Sequence, residues 1–205
     1  MKKILIATGN PHKQEKLRWI VTDYFSEVLL PSDIDSNIEV EENGATFLEN
    51  AEIKAVAASK CFDGYTIATD AGIMIPSLGD QWNGLHTKRF AGADASDEDR
   101  MKLLLSLLKD KTDDDRKMVW NEAVAIARDG EIVFSQQVAG IEGVAQTDYN
   151  MNKYKPGIWV CSLWYFPQWQ KNFFDLTESE TTEAEISWHK LKEAVTNYFD
   201  SKDES

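Results

Sequence analysis

Short apolar runs alternate along this chain with longer stretches in which apolar residues recur every three or four positions. The first run, "KILIA" (residues 3–7), predicts a buried strand. In "QEKLRWIVTDYF", Leu17, Ile20, Val21 and Tyr24 fall at helical spacing, with Pro11 placed to open the helix and Asn10 to cap it. "SEVLLPSDI" returns to extended chain. A turn at Asn43-Gly44 leads into a helix with Phe47, Ala51 and Ala55 on one face. "YTIAT" and "GIMIP" predict two further strands, and "GDQWNGLHTKRFAG" a loop. "ASDEDRMKLLLSLL" predicts an amphipathic helix capped by Asp97 or Ser96, with Met101, Leu104, Leu105 and Leu108 as its buried stripe. "KDKTDDDR" reads as a charged surface turn. "KMVWNEAVAIA" alternates as a strand does, "RDGE" is a hairpin turn, and "IVFSQQVAGIEGVA" is the return strand. Residues 158–175 are rich in aromatics, "EAEISWHKLKEAVTNYF" is a closing helix, and residues 200–205 form a polar tail. Strands and helices mix without an internal repeat or long linker. That predicts an α/β protein, one domain over residues 1–205, with one mixed β-sheet flanked by helices and a hairpin-rich lobe.

Composition narrows the function classes. The 205 residues suffice for a sizeable core, and 42% hydrophobic with 28% charged residues is ordinary for a globular chain. A formal net charge of -13 argues against a broad nucleic-acid surface while leaving room for a basic pocket around a small anion. Cys61 and Cys161 make neither a disulfide framework nor a zinc pattern. The N-terminal apolar run is too short for a signal peptide, and no stretch reaches the ~20 apolar residues of a spanning helix. The expectation is a soluble cytoplasmic protein with no nucleic-acid or membrane partner.

Three stretches carry candidate chemistry. In "ATGNPHK" (residues 7–13) a strand ends, a small-residue turn follows and a helix begins. Such a turn offers backbone N–H groups and a positive helix end to an anion, with Thr8, Asn10 and Lys13 alongside; a plain capped helix start is the alternative. In "VEENGATFLENAEIKA", Glu41 and Glu42 precede a turn, and Asn50 and Lys54 share a helix face. In "TIATDAGIMI" (residues 66–75) a lone carboxylate, Asp70, interrupts an apolar stretch. A buried unpaired charge costs several kcal/mol, so Asp70 is paired, metal-bound, or at a strand end facing a cleft. The basic-aromatic "HTKRFAG" (residues 86–92) follows within one loop.

In this order and spacing, "ATGNPHK", "EENGATFLENAEIKA", "TDAGI", "GLHTKRFAG" and "ASDEDR" resemble the Ham1 family of inosine/xanthosine triphosphate pyrophosphatases. The resemblance implies a single elongated mixed sheet with an active-site cleft between lobes. It also implies Mg²⁺-dependent hydrolysis of non-standard purine nucleoside triphosphates to monophosphate and pyrophosphate, and a homodimer. On that analogy Thr8, Gly9, Asn10 and Lys13 cradle the triphosphate and Lys54 adds a second cation. Glu41, or Glu42 if the register slips by one, is a metal ligand. Asp70 is the general base and also touches the metal, Ala71 follows it in the substrate site, and Arg89 lies near the phosphates.

The chain departs from the family in several places. Two acidic residues usually precede the glycine; here the first is Thr69, and Ala71 stands where the family has serine. The family's "G-F-G-Y-D-P" base loop is replaced by "GIWVCSLWYFP" (residues 157–167), where Trp159, Trp164 or Tyr165 either stack on a base or fill the core. Its terminal "S-H-R" becomes "SWHK", with His189 and Lys190 as replacements. The phosphate half is kept and the base half rewritten, so the expectation is pyrophosphatase chemistry with altered or relaxed base preference. The same phosphate chemistry on another nucleotide, or nucleotide binding without turnover, are the alternatives.

Overall fold

The computed structural model describes residues 2–34, 38, 40–112 and 114–203. Among these residues seven strands form one mixed sheet in the order β2-β1-β3-β4-β5-β6-β7. They are β1 (Lys3–Ile6), β2 (Glu27–Leu29), β3 (Tyr65–Met74), β4 (Lys117–Arg128), β5 (Glu131–Ala145), β6 (Trp164–Phe166) and β7 (Lys171–Asn172). The helices are α1 (Pro11–Val21), α2 (Phe47–Ser59), α3 (Asp97–Leu107), α4 (Glu178–Ala184) and α5 (Ile186–Asp203). Two compact units emerge: Met1–Ala71, Asn121–Val138 and Ser187–Ser205 make the first, and Gly72–Trp120 with Ala139–Ile186 the second.

In the first unit β1 pairs in parallel with both β2 and β3, and Leu5 stands opposite Leu29 on one side and Thr66 on the other. Parallel neighbours require crossovers, which α1 and α2 supply. Asn10 caps α1 as expected, its Oδ1 accepting from the His12 and Lys13 N–H groups. Leu17, Ile20 and Val21 of α1 join Ile4, Ile6 and Ile67 of the sheet and Leu191 and Val195 of α5 in one apolar cluster. The small residues Ala51, Ala55 and Ala58 of α2 are fully buried, and the Thr66 hydroxyl donates to the Ala55 carbonyl at 2.7 Å. The β4–β5 hairpin turns at Asp129 and Gly130, both in the left-handed region at φ 54° and 83°, as a tight two-residue hairpin requires.

Several expectations change. "YTIAT" and "GIMIP" are not two strands: β3 runs unbroken through residues 69–72, because its polar side chains there find partners inside the fold. Helix α5 extends to Asp203, so most of the expected polar tail is helical; residues 204 and 205 lie outside the described residues. A further helix, α4, precedes it, opened by a Thr177/Glu180 capping box that was legible as T-x-x-E.

In the second unit Met101, Leu104 and Leu108 of the α3 segment pack with Trp82, Leu163 and Phe166, while Leu105 is only partly buried. Ser96, not Asp97, caps α3. Asp97 instead accepts bonds from the Tyr154 hydroxyl, the Gly157 N–H and Arg100. Burial alone would raise its pKa; those three bonds outweigh it and hold the carboxyl below its ordinary range. Arg116 is not part of a surface turn. It is buried and donates to the carbonyls of Ala145, Leu108 and Gln146, fastening the chain before β4 to the end of β5. No helix among the described residues is long and apolar enough to cross a membrane.

Candidate active site

The N-terminal turn leaves the sheet where β1 stops. The Ala7 N–H bonds the Ile67 carbonyl at 2.8 Å, after which Thr8, Gly9 and Asn10 turn the chain into α1. The turn is braced internally: the Asn10 N–H reaches Thr8 Oγ1 at 3.3 Å, and Gln14 Nε2 donates to the Thr8 carbonyl at 2.8 Å. A Cβ placed on Gly9 would meet nothing within 4 Å, so the backbone there faces open space. Lys13 stands in the first helical turn, partly buried, and makes no ion pair among the described residues. Exposed backbone, a helix N-terminus and an uncommitted ammonium are what a polyanion requires.

Asp70 is paired. Lys54 Nζ lies 3.1 Å from Asp70 Oδ1 and 3.1 Å from Glu42 Oε2, while Asn50 Nδ2 reaches Asp70 Oδ2 at 3.3 Å. The side chains of Lys54 and Asp70 are each 14% exposed, and that of Glu42 is 47% exposed. Asn50 and Lys54 sit one turn apart on α2 and so meet the same strand residue. Asn50 is buried and is itself held by the Gly44 N–H on its Oδ1 at 2.8 Å. A Cβ at Gly44 would fall 2.7 Å from that oxygen, which explains the glycine of "EENGATF". Asp70 therefore lies within a strand rather than at its end, although β1 no longer flanks it: the β1–β3 register stops at Ile67. Ala71 follows in the strand, partly buried.

The network includes Glu42. Glu41, the first choice from sequence, is exposed and makes no bond among the described residues. No group of three or more His, Cys, Asp or Glu that would hold a metal exists among the described residues. Two carboxylates, Glu42 and Asp70, do converge on one cation, the Lys54 ammonium. A pair of carboxylates completed by phosphate oxygens and water is the usual donor set for Mg²⁺, so these residues fit that ion.

The remaining expected residues are placed differently. Arg89, in the second unit, is exposed at the end of the Gly84–Arg89 segment of 3-10 turns. Trp159 is 2% exposed and its indole N–H donates to the Thr87 carbonyl at 3.3 Å. It packs with Trp82 and Phe90, so it anchors the loop that carries Arg89 and is not free to stack on a base. Trp164 is likewise in the core. On α5, Trp188 and Leu191 face inward, which turns His189 and Lys190 out to the surface. The His189 ring meets the edge of Trp19 at 5.1 Å, and Trp19 lies nine residues beyond Asn10, about 13 Å along α1. His189 is thus a contact between α1 and α5, remote from the phosphate turn. Asn50 is the site residue that no motif assigns a role; its four-residue spacing from Lys54 is the signal in the sequence.

Residues 4–161 match the sequence profile of the Ham1 family. The chain belongs to the Ham1 family. A dITP/XTP pyrophosphatase of Thermoanaerobacter sp. (strain X514) is 36% identical over 139 residues, 67% of this chain and 70% of that protein. The dITP/XTP pyrophosphatase of Yersinia pestis is 32% identical over 167 residues, 77% of this chain and 84% of the relative. A HAM1 protein from Coxiella burnetii superposes with a TM-score of 0.78 over 96% of this chain and all of that one; at 24% identity it attests the fold alone. The Ham1 match spans the turn at residues 8–13, the Glu42–Lys54–Asp70 network and Arg89, and stops before His189.

Proposed function

We propose that this Ham1-family protein hydrolyses non-standard purine nucleoside triphosphates, with dITP and XTP as first substrates, to the monophosphate and pyrophosphate. One observation carries the reading: a carboxylate, Asp70, held by Lys54 and Asn50 on the strand beside the one that feeds an open anion-binding turn. In this reading Thr8, Gly9, Asn10 and Lys13 hold the triphosphate through backbone N–H groups, side chains and charge. Asp70 takes a proton from the attacking water as the new P–O bond forms and the bond to pyrophosphate breaks. Asn50 keeps the carboxylate aimed, and Lys54 pairs with it and with Glu42. Glu42 and Asp70 would hold Mg²⁺. When bound, Mg²⁺ supplies charge neutralisation and polarisation at the phosphoryl oxygens. The reading extends to a cytoplasmic homodimer, which rests on the family resemblance.

The test is a panel of dITP, XTP, dATP and dGTP, with monophosphate and pyrophosphate both quantified, with Mg²⁺ and with EDTA. Equimolar products that depend on the metal are expected. Binding without products would make this a nucleotide-binding protein instead.

A further inference from the structure

Glu122 is fully buried in β4 and has no part in the chemistry above. Side chains alternate along a strand, so Glu122 shares its row with Val124 and Ile126, both packed in the apolar cluster of the first unit. A carboxylate in such a row is costly unless bonded. One of its partners is Thr69, also buried, whose hydroxyl donates to Glu122 Oε1 at 2.8 Å. Thr69 immediately precedes Asp70. The same alternation sends their side chains to opposite faces of β3: Thr69 toward Glu122, Asp70 toward Asn50 and Lys54 of α2.

Position along the strand gives this bond its weight. β1 pairs with β3 only as far as Ile67, so residues 69–71 run past the last rung on that side. There, among the described residues, β3 is held by β4 alone, the Thr69–Glu122 bond ties those two strands through side chains, and a one-residue slip against β4 would turn Asp70 to the wrong face. We propose that Glu122 is a positioning residue for Asp70: by accepting the Thr69 hydroxyl it locks β3 so that Asp70 stays aimed at Asn50 and Lys54. At position 69, where the family usually carries an acidic residue, this chain has a hydroxyl met by a carboxylate from the neighbouring strand. The catalytic consequence rests on the proposed function; the structural consequence does not.

Three variants test this. Glu122→Leu removes the acceptor and leaves the buried Thr69 hydroxyl without it, so some loss of Tm accompanies this variant. Thr69→Val removes the donor. Glu122→Gln keeps an acceptor oxygen. Pyrophosphate release, thermal unfolding and NMR-detected amide exchange at residues 69–71 are measured for each. Glu122→Leu and Thr69→Val should lower kcat about a hundredfold, as misplacement of a reacting group does, with KM changed little. Exchange at 69–71 should quicken about tenfold more than at amides elsewhere in the first unit, which a uniform loss of stability would not produce. Glu122→Gln should stay within about threefold of the parent in both readouts. Parental kcat and exchange in Glu122→Leu, or a Glu122→Gln as impaired as Glu122→Leu, would overturn the proposal. Should Glu122→Leu not fold, Thr69→Val and Glu122→Gln decide it. Should the parent release no pyrophosphate from any triphosphate, the functional reading fails, and exchange still decides the role of Glu122.

Discussion

Replacing Asp70 by Asn separates catalysis from stability at the centre of the site. Asp70 accepts two donors at once, Lys54 Nζ on Oδ1 and Asn50 Nδ2 on Oδ2. An Asn there has one acceptor oxygen and an NH₂ that donates, so one of the two donors must face another donor. Lys54 keeps its bond to Glu42, but that partner is half exposed and compensates little. Hydrogen bonds to charged groups contribute about 1.5–3 kcal/mol. Contact with water at the site puts the loss near the lower figure, about 1.5 kcal/mol. For a chain of this size that lowers Tm by about 3–6 °C and leaves the protein folded. Loss of a general base costs far more in rate, about 100- to 10,000-fold. Pyrophosphate release from dITP or XTP at saturating Mg²⁺, alongside tryptophan-monitored unfolding, reads both quantities. A variant with the expected fall in Tm but turnover within a few-fold of the parent would refute the assignment of Asp70 as the base.

Gly9→Ala should leave Tm unchanged or slightly raised, since the added Cβ meets nothing within 4 Å, and should raise KM for the triphosphate about tenfold by blocking close approach of phosphate to the backbone. An unchanged KM would place the phosphates elsewhere. Glu180 is pulled from 4.5 down to about 2, first by the bond from Lys171 and then by the Thr177 N–H. Its folded pKa lies below the unfolded one, so its contribution to stability is complete above pH 4.5 and is lost as pH falls toward about 2. Glu180→Gln should flatten that part of the acid limb of a Tm–pH curve, and an unaltered limb would contradict the pairing. Burial pushes the Cys161 thiol up to about 12 while Cys61 is exposed, so a thiol reagent should label one cysteine in the native protein and the second only on unfolding. Two fast-reacting thiols would show that the second-unit core opens readily. His189→Ala should leave the ranking of dITP, XTP and dATP unchanged, because its ring packs on Trp19; a changed ranking would put His189 in the base site.

What the sequence made legible follows how locally each feature is determined. The Asn10 cap, the inward face of α2 and the two-residue hairpin turn are set by neighbours within a turn of chain, and all are found as expected. Glu42 against Glu41 was not legible, because the choice depends on which carboxylate the loop brings to Lys54, a contact twelve residues away. The unbroken β3 was hidden for a similar reason. Thr69 and Asp70 look like strand breakers until Glu122, Asn50 and Lys54 are brought against them. Trp159 offered an aromatic face that suits either a base or a core, and only its burial and the bond to Thr87 decide between them. His189 was assigned by resemblance to a short motif with one extra residue, and helical rotation carried it to the outer surface.

The most direct test of the account is ³¹P NMR of dITP or XTP turned over by the purified protein with Mg²⁺. Cleavage next to the α-phosphorus, with Asp70 as base, predicts monophosphate and pyrophosphate rising together in equal amounts, no orthophosphate, and loss of both signals in the Asp70→Asn sample. Release of orthophosphate with a nucleoside diphosphate, or an undiminished rate in Asp70→Asn, would contradict it.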